Sequence, residues 1–156
     1  MFMRKLLICI TLLASLPALA QQPPAADQGP SLGDQLVQQV LEPLRTGMQA
    51  QNLDSVLALF DKQELDNYAD LQAHLQAFFQ NFAQIDLRYQ LLQAAADKDR
   101  ASATVEMQMD ALPYEPTQIA IRRSTQMRFQ LKIGPNGWKI AGITPPDFFN
   151  VEYSPK

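Results

Sequence analysis

The stretch IDLRYQLLQAAADKDRASATVEMQMD, residues 85–110, decides the fold class of this chain. Apolar and polar residues alternate over 85–91 and again over 103–110. A period of two is typical of strands that bury one face. The charged residues 97–100 separate the two parts, so the stretch predicts two antiparallel strands joined by a tight hairpin.

Two more strands follow on the C-terminal side. After a proline-containing loop at 112–116, the same alternation runs through 124–133, which we expect to be the longest strand. GPNG at 134–137 predicts a reverse turn into a last strand, 138–143. The two prolines at 145 and 146 end this strand. The sequence therefore predicts four antiparallel strands.

Three helices are predicted before the sheet. Ser31 is a candidate N-cap for a first helix, which we expect to kink near Pro43. Asn52 is a candidate cap for a short second helix that ends around Asp61. Residues 66–82 carry an apolar stripe at helical spacing and form the third. The expected fold is α+β, with three N-terminal helices packed on a curved four-stranded antiparallel sheet.

The chain resembles the nuclear transport factor 2-like superfamily, which includes the SnoaL-like and cystatin-like α+β proteins. The likeness rests on NLDSVLALFD (52–61), on the third helix, and on GWKIAGIT (137–144), and it covers roughly residues 36–149. The resemblance implies helices packed into a cone-like sheet. It also implies either a pocket enzyme, such as an isomerase, dehydratase or hydrolase, or a noncatalytic binding protein, because this fold carries both.

The first twenty residues have the pattern of a secretory signal peptide. Arg4 and Lys5 precede an apolar stretch, and the small residues Ala18 and Ala20 mark a cleavage site. A transmembrane anchor is the alternative, but Pro17 ends the apolar stretch early. We therefore expect an exported protein, periplasmic or extracellular, cleaved near Ala20 and left without a stable membrane anchor.

Cleavage changes the composition of the working protein. It removes the only cysteine, Cys9, so that disulfides and thiolate metal sites are not expected. It also takes away two basic residues, which changes the net charge from −3 to −5 and disfavours nucleic acid as a partner. We expect residues 21–30 to be a flexible linker and 31–156 to form a single domain.

The predicted inward face of the sheet is almost wholly apolar. Thioether and aromatic side chains on neighbouring strands are suited to an adaptable pocket for a small apolar ligand, and they are equally suited to ordinary core packing. The candidate pocket residues are Leu87, Tyr89, Met107, Met109, Met127 and Phe129.

The enzyme alternative depends on the only histidine. His74 lies beside the apolar stripe of the third helix, where it could act as a general base assisted by Tyr68 or Tyr89. The other interpretation is a helix-flank histidine partly in water. No cofactor is expected, and one histidine without cysteine makes a zinc site improbable.

The opposite face of the sheet is predicted to be polar. Asp86, Glu106 and Asp110 should face solvent and pair with arginines on neighbouring strands. Three arginines, Arg122, Arg123 and Arg128, are interpreted as part of this solvated face, or alternatively as an anion or partner patch. The aromatic tail, 145–153, either seals the open end of the sheet or offers an aromatic interface, and sealing is expected for its two phenylalanines.

These patterns favour an exported, noncatalytic domain that binds a small apolar ligand or a protein partner. A homodimer formed through the exposed sheet face is the expected assembly.

Overall fold

The computed structural model describes residues 29–152. The predicted signal peptide, most of the predicted linker and Tyr153 lie outside the described residues. Within 29–152, none of the helices is both long and apolar enough to cross a membrane.

The first helical segment begins at a capping box. Ser31 Oγ accepts a hydrogen bond from the Asp34 amide at 3.2 Å, while the Asp34 carboxylate accepts one from the Ser31 amide. Helix α1, Leu32–Leu36, continues into a π-helical turn, Val37–Leu41, and then into α2, Glu42–Gln49.

The π turn stands where the sequence predicts a kink at Pro43. Proline has no amide hydrogen to donate to the carbonyl group four residues earlier, and its ring crowds that group. The wider turn relieves this conflict: the Glu42 amide donates to the carbonyl of Val37, five residues back. One predicted helix is thus two α-helices joined by a π turn.

The second and third predicted helices are α3, Leu53–Leu57, and α4, Tyr68–Asn81. Asn52 caps α3 as expected, since its side chain accepts from the Ser55 amide at 3.0 Å. The helix ends before the predicted Asp61 because the chain there joins the sheet. The Asp61 amide donates to the Ile140 carbonyl at 2.8 Å in a short parallel bridge.

The sheet is a four-stranded antiparallel meander in the order β1-β2-β3-β4. Its strands are β1, Phe82–Asp97; β2, Arg100–Pro113; β3, Ile121–Gly134; and β4, Gly137–Thr144. The longest is β1, with 16 residues, and not β3 as predicted. A register shift at Leu92 interrupts the alternation in β1, and the strand continues beyond it through alanines that carry little pattern.

The helices cover one face of this open, curved sheet and enclose the hydrophobic core, so the predicted α+β class is confirmed. The C-terminal tail, residues 145–152, closes the core at one end. Phe148 and Phe149 are 0% and 1% exposed and pack edge to face, with ring centroids 5.1 Å apart. The prediction that these phenylalanines seal the sheet is therefore confirmed.

Helix α2 packs so closely on α3 that it requires glycine at position 47. A Cβ atom on Gly47 would lie 2.7 Å from Cγ2 of Val56, a fully buried β-branched side chain with little freedom to move. We expect Gly47→Ala to lower the free energy of unfolding by about 1–2 kcal/mol, because overpacking outweighs the better helix propensity of alanine.

Urea unfolding followed by circular dichroism measures this change. Gly29→Ala is the matched control, since a Cβ atom there meets no atom within 4 Å. Equal stability of the two variants would contradict the close packing of α2 on α3.

Candidate functional site

The sheet register brings the six predicted pocket residues together on its inward face. Leu87 pairs with Met109 and Tyr89 with Met107, in neighbouring rows of β1 and β2. The next rows hold Met127 and Phe129 of β3, which pair with Val105 and Ala103 of β2. These side chains line the space that the helices cover.

Their burial is nearly complete. Each of the five apolar residues is at most 1% exposed and belongs to the hydrophobic core, whereas Tyr89 is partly buried against that core. The candidate pocket is therefore packed with protein atoms in this conformation. Thioether side chains are well suited to repacking, because their three rotatable bonds adapt to irregular shapes.

Tyr89 takes part in a polar cluster that the sequence did not predict. Its hydroxyl donates to Glu42 Oε2 at 2.8 Å, and Arg45 Nε donates to the same oxygen at 3.1 Å. Arg45 Nη2 donates to the other carboxylate oxygen. The cluster joins α2 to the inward side of β1.

The cluster fixes the protonation states of its members. Burial, reinforced by the neighbouring Glu42 carboxylate, raises the pKa of Tyr89 to about 12. Hydrogen bonds from Arg45 and then Tyr89 lower the pKa of Glu42. At neutral pH the tyrosine is thus a hydrogen-bond donor to an ionised carboxylate, and neither group is tuned for proton transfer near pH 7.

The other two candidate catalytic residues lie on α4 and do not join Tyr89 in this cluster. Tyr68 and His74 are six residues apart on one helix, so their side chains project about 120° apart and are separated by about 9 Å along the axis. His74 is half-buried. The Lys62 ammonium group lies over the Tyr68 ring, with its nitrogen 5.8 Å from the ring centroid. Tyr68 and His74 are therefore not neighbours on the surface of α4.

Arg123 contradicts the prediction of a solvated arginine face. It is only 5% exposed, and its register partner is Met109 on the inward face. Its Nη1 donates to the Phe148 carbonyl at 2.7 Å and its Nη2 to the Val151 carbonyl at 3.0 Å. Its guanidinium carbon lies 5.5 Å from the Phe78 ring centroid, within cation–π range.

The outer face of the sheet has the predicted cross-strand ion pairs. Asp110 accepts from Arg122 Nε at 2.7 Å and from Arg88, which also lies 3.3 Å from Asp86. The hydrogen bond from Arg122 is the main cause that lowers the pKa of Asp110, and Arg88 lowers it further. Within 29–152, Glu106 and Arg128 on this same face form no ion pair.

Shallow hollows open on the outer face and at the sheet ends. One of about 310 Å³ lies beside Asp110 and Arg122, and another of about 190 Å³ lies beside Gln90 and Glu106. A third, of about 300 Å³, lies at the hairpin around Ala95. Residues 29–152 contain no group of three or more histidines, cysteines, aspartates or glutamates placed to hold a metal ion.

Three residues of the inner polar sites, Arg123, Glu42 and Arg45, were not predicted from the sequence, although the sequence carried a signal for them. Arg123 is in phase with Met127 and Phe129 in the period-two pattern of β3, which places it inside. Glu42 and Arg45 form an i,i+3 pair on the flank of an otherwise apolar helix face. For Arg123, the positive charge favoured the interpretation of a solvated face over the strand alternation.

Helices that precede an open, curved, four-stranded antiparallel meander with an apolar inward face define the nuclear transport factor 2-like fold. The chain has this fold, as its resemblance implied. No protein-family model matches the sequence. No curated protein matches it either.

Several solved structures are similar to it. A proposed dehydratase of the NTF2-like family from Streptomyces avermitilis is 10% identical; the match covers 71% of this chain and 92% of that protein, with a TM-score of 0.60. A proposed scytalone dehydratase from Novosphingobium aromaticivorans is 8% identical, covering 70% and 78%, with a TM-score of 0.61.

A proposed aromatic ring hydroxylase from the same organism is 16% identical, covering 72% of this chain and 87% of that protein, with a TM-score of 0.59. At these identities the likeness shows a shared fold, which fits a ligand-binding cone.

The raised pKa of Tyr89 predicts a specific alkaline response. The pKa of Tyr89 is higher in the folded state than in the unfolded state, where it is about 10. This difference stabilises the folded protein, and the stabilisation is fully present below about pH 10. That contribution is lost as the pH rises from about 10 to about 12. Tyr89→Phe should show a smaller decrease in the free energy of unfolding over this pH range. Tyr114→Phe should show the same decrease as the wild type.

Urea unfolding at a series of alkaline pH values measures the effect. Phenolate absorbance should show in parallel that Tyr89→Phe removes an ionisation near pH 12. If the folded Tyr89→Phe variant had the same titration curve as the wild type at alkaline pH, the hydrogen bond between Tyr89 and Glu42 would be contradicted.

Proposed function

We propose that this chain is an exported, noncatalytic domain that binds a small apolar ligand between its helices and the inward face of its sheet. The observation that carries the proposal is the chemistry of that face, where hydrocarbon and thioether side chains fill adjacent rows. They are Leu87, Met107, Met109, Met127 and Phe129. Such a surface recognises apolar molecules by area and shape.

The hydrogen bonds of two ionisable residues at this face support a noncatalytic role. Tyr89 is engaged by Glu42, and Arg123 is engaged by two main-chain carbonyl oxygens of the tail. The alternative, a pocket enzyme that uses His74 with Tyr68 or Tyr89, needs two titratable groups beside one cavity. The six-residue spacing of Tyr68 and His74 on α4 and the hydrogen bond of Tyr89 to Glu42 favour the noncatalytic alternative.

The methionines allow a direct test of the pocket. After cleavage at Ala20 the chain has four methionines, of which Met107, Met109 and Met127 line the proposed pocket and Met48 is a buried residue of α2. We expect the neutral apolar probe N-phenyl-1-naphthylamine to shift the ¹³C-methyl resonances of the three pocket methionines and to leave that of Met48 in place.

Single Met→Leu variants assign the four resonances with little change in volume. Saturable shifts confined to the three pocket methionines support the proposal. Shifts at Met48 alone, or no saturable shift at any methionine, would overturn it.

A homodimer through the outer sheet face is supported by one further observation. Glu106 and Arg128 occupy diagonal positions in neighbouring strands, with Glu106 opposite Gln126 and Arg128 opposite Thr104. A two-fold axis in the interface between them would place each Glu106 opposite the Arg128 of a second copy. The face is therefore complementary to itself in charge, and we propose a second copy as its occupant.

Charge reversal tests this assembly. Glu106→Arg should lower the association constant of the dimer by about tenfold, because it places like charges opposite each other. Combining Glu106→Arg with Arg128→Glu should restore association, and Glu115→Arg, a matched change in an exposed loop, should leave it unaltered. Light scattering over a range of concentrations measures the dimer; a monomer at all concentrations, or a dimer insensitive to the reversal, would refute this interface.

A further inference from the structure

The setting of Arg123 is unusual for an arginine. Arg123 is paired in register with Met109 of the inward face, and its guanidinium lies over the Phe78 ring at the end of the cone that the tail closes. The group stays charged at any physiological pH, so it needs oxygen acceptors where it is buried. Two carbonyl oxygens of the tail, from Phe148 and Val151, supply them.

This arrangement has the chemistry of a carboxylate site. A guanidinium presents parallel donors in a rigid fork that matches the two oxygens of a carboxylate. Here Nη1 and Nη2 each donate to one oxygen, at 2.7 and 3.0 Å, but the two oxygens belong to two neutral peptide groups. A carboxylate would supply both oxygens with a full negative charge, and charge-assisted hydrogen bonds are the stronger kind.

The tail also fills apolar space beside the fork. The Phe148 and Phe149 side chains are fully buried, and together they contain fourteen carbon atoms. The tail that carries them is a series of turns, with a hydrogen bond from the Asn150 amide to the Asp147 carbonyl at 2.9 Å. An apolar chain of roughly a dozen carbons could replace the volume of both rings in a close-packed core.

We propose that Arg123 is the binding site for the carboxylate of an apolar acid, and that the tail occupies this site when the acid is absent. The inference rests on the proposed function, since it names the ligand class of the same apolar interior. The tail carbonyls take the place of the carboxylate oxygens, and the two phenylalanines take the place of the hydrocarbon chain. Binding of the acid displaces the tail.

Calorimetric titration of the mature chain with dodecanoate and with 1-dodecanol tests the proposal. The two probes share a hydrocarbon chain and differ in the carboxylate, so we expect dodecanoate to bind at least about tenfold more tightly. Hydrogen exchange of the amides in residues 147–152 should become faster at saturating dodecanoate, because the tail leaves its site.

Equal affinities would overturn the carboxylate site while leaving the proposed function standing. Binding of neither probe would count against both. Dodecanoate binding with unchanged exchange in the tail would overturn the displacement.

Three substitutions locate the site. Arg123→Gln should lower dodecanoate affinity to that of dodecanol and leave dodecanol affinity unchanged, whereas Arg122→Gln, at the neighbouring exposed arginine, should alter neither. Arg123→Lys keeps the charge but not the fork, and it should lie between wild type and Arg123→Gln. It also gives a result if Arg123→Gln does not fold. Tight dodecanoate binding by a folded Arg123 variant would refute the assignment.

Discussion

The need to cover one apolar face of a curved sheet is the constraint on which the rest of this structure depends. Four antiparallel strands place their thioether and hydrocarbon side chains on the same side, and this side is removed from water only when other segments pack on it. The helices cover most of it. The tail covers the remaining end, where Phe148 and Phe149 complete the core.

The same constraint explains how polar groups come to lie at the inward side. Tyr89 and Arg123 occupy inward positions by strand alternation, so each must find a polar partner within the structure. Glu42 on α2 meets the tyrosine hydroxyl, and the tail carbonyls meet the guanidinium. Polar partners thus connect the sheet to the elements that cover it, at the two places where the apolar face is interrupted.

Much of the fold was predictable because hydrophobic periodicity is a local property. The caps at Ser31 and Asn52, the four strands and the outer ion pairs of Asp110 all followed from spacing along the chain. The early end of α3 was not predictable, because it depends on a bridge to Ile140 some eighty residues away. The length of β1 was also missed, since its alanines have no pattern to read.

The sequence by itself determined the α+β class, the apolar inward face and the polar outer face, because alternation with a period of two assigns each residue to a side. Only the tertiary structure decided what those sides contact. It placed Arg123 against the tail and Tyr89 against Glu42. These pairings join residues distant in sequence, and the packing of whole elements sets which of them meet.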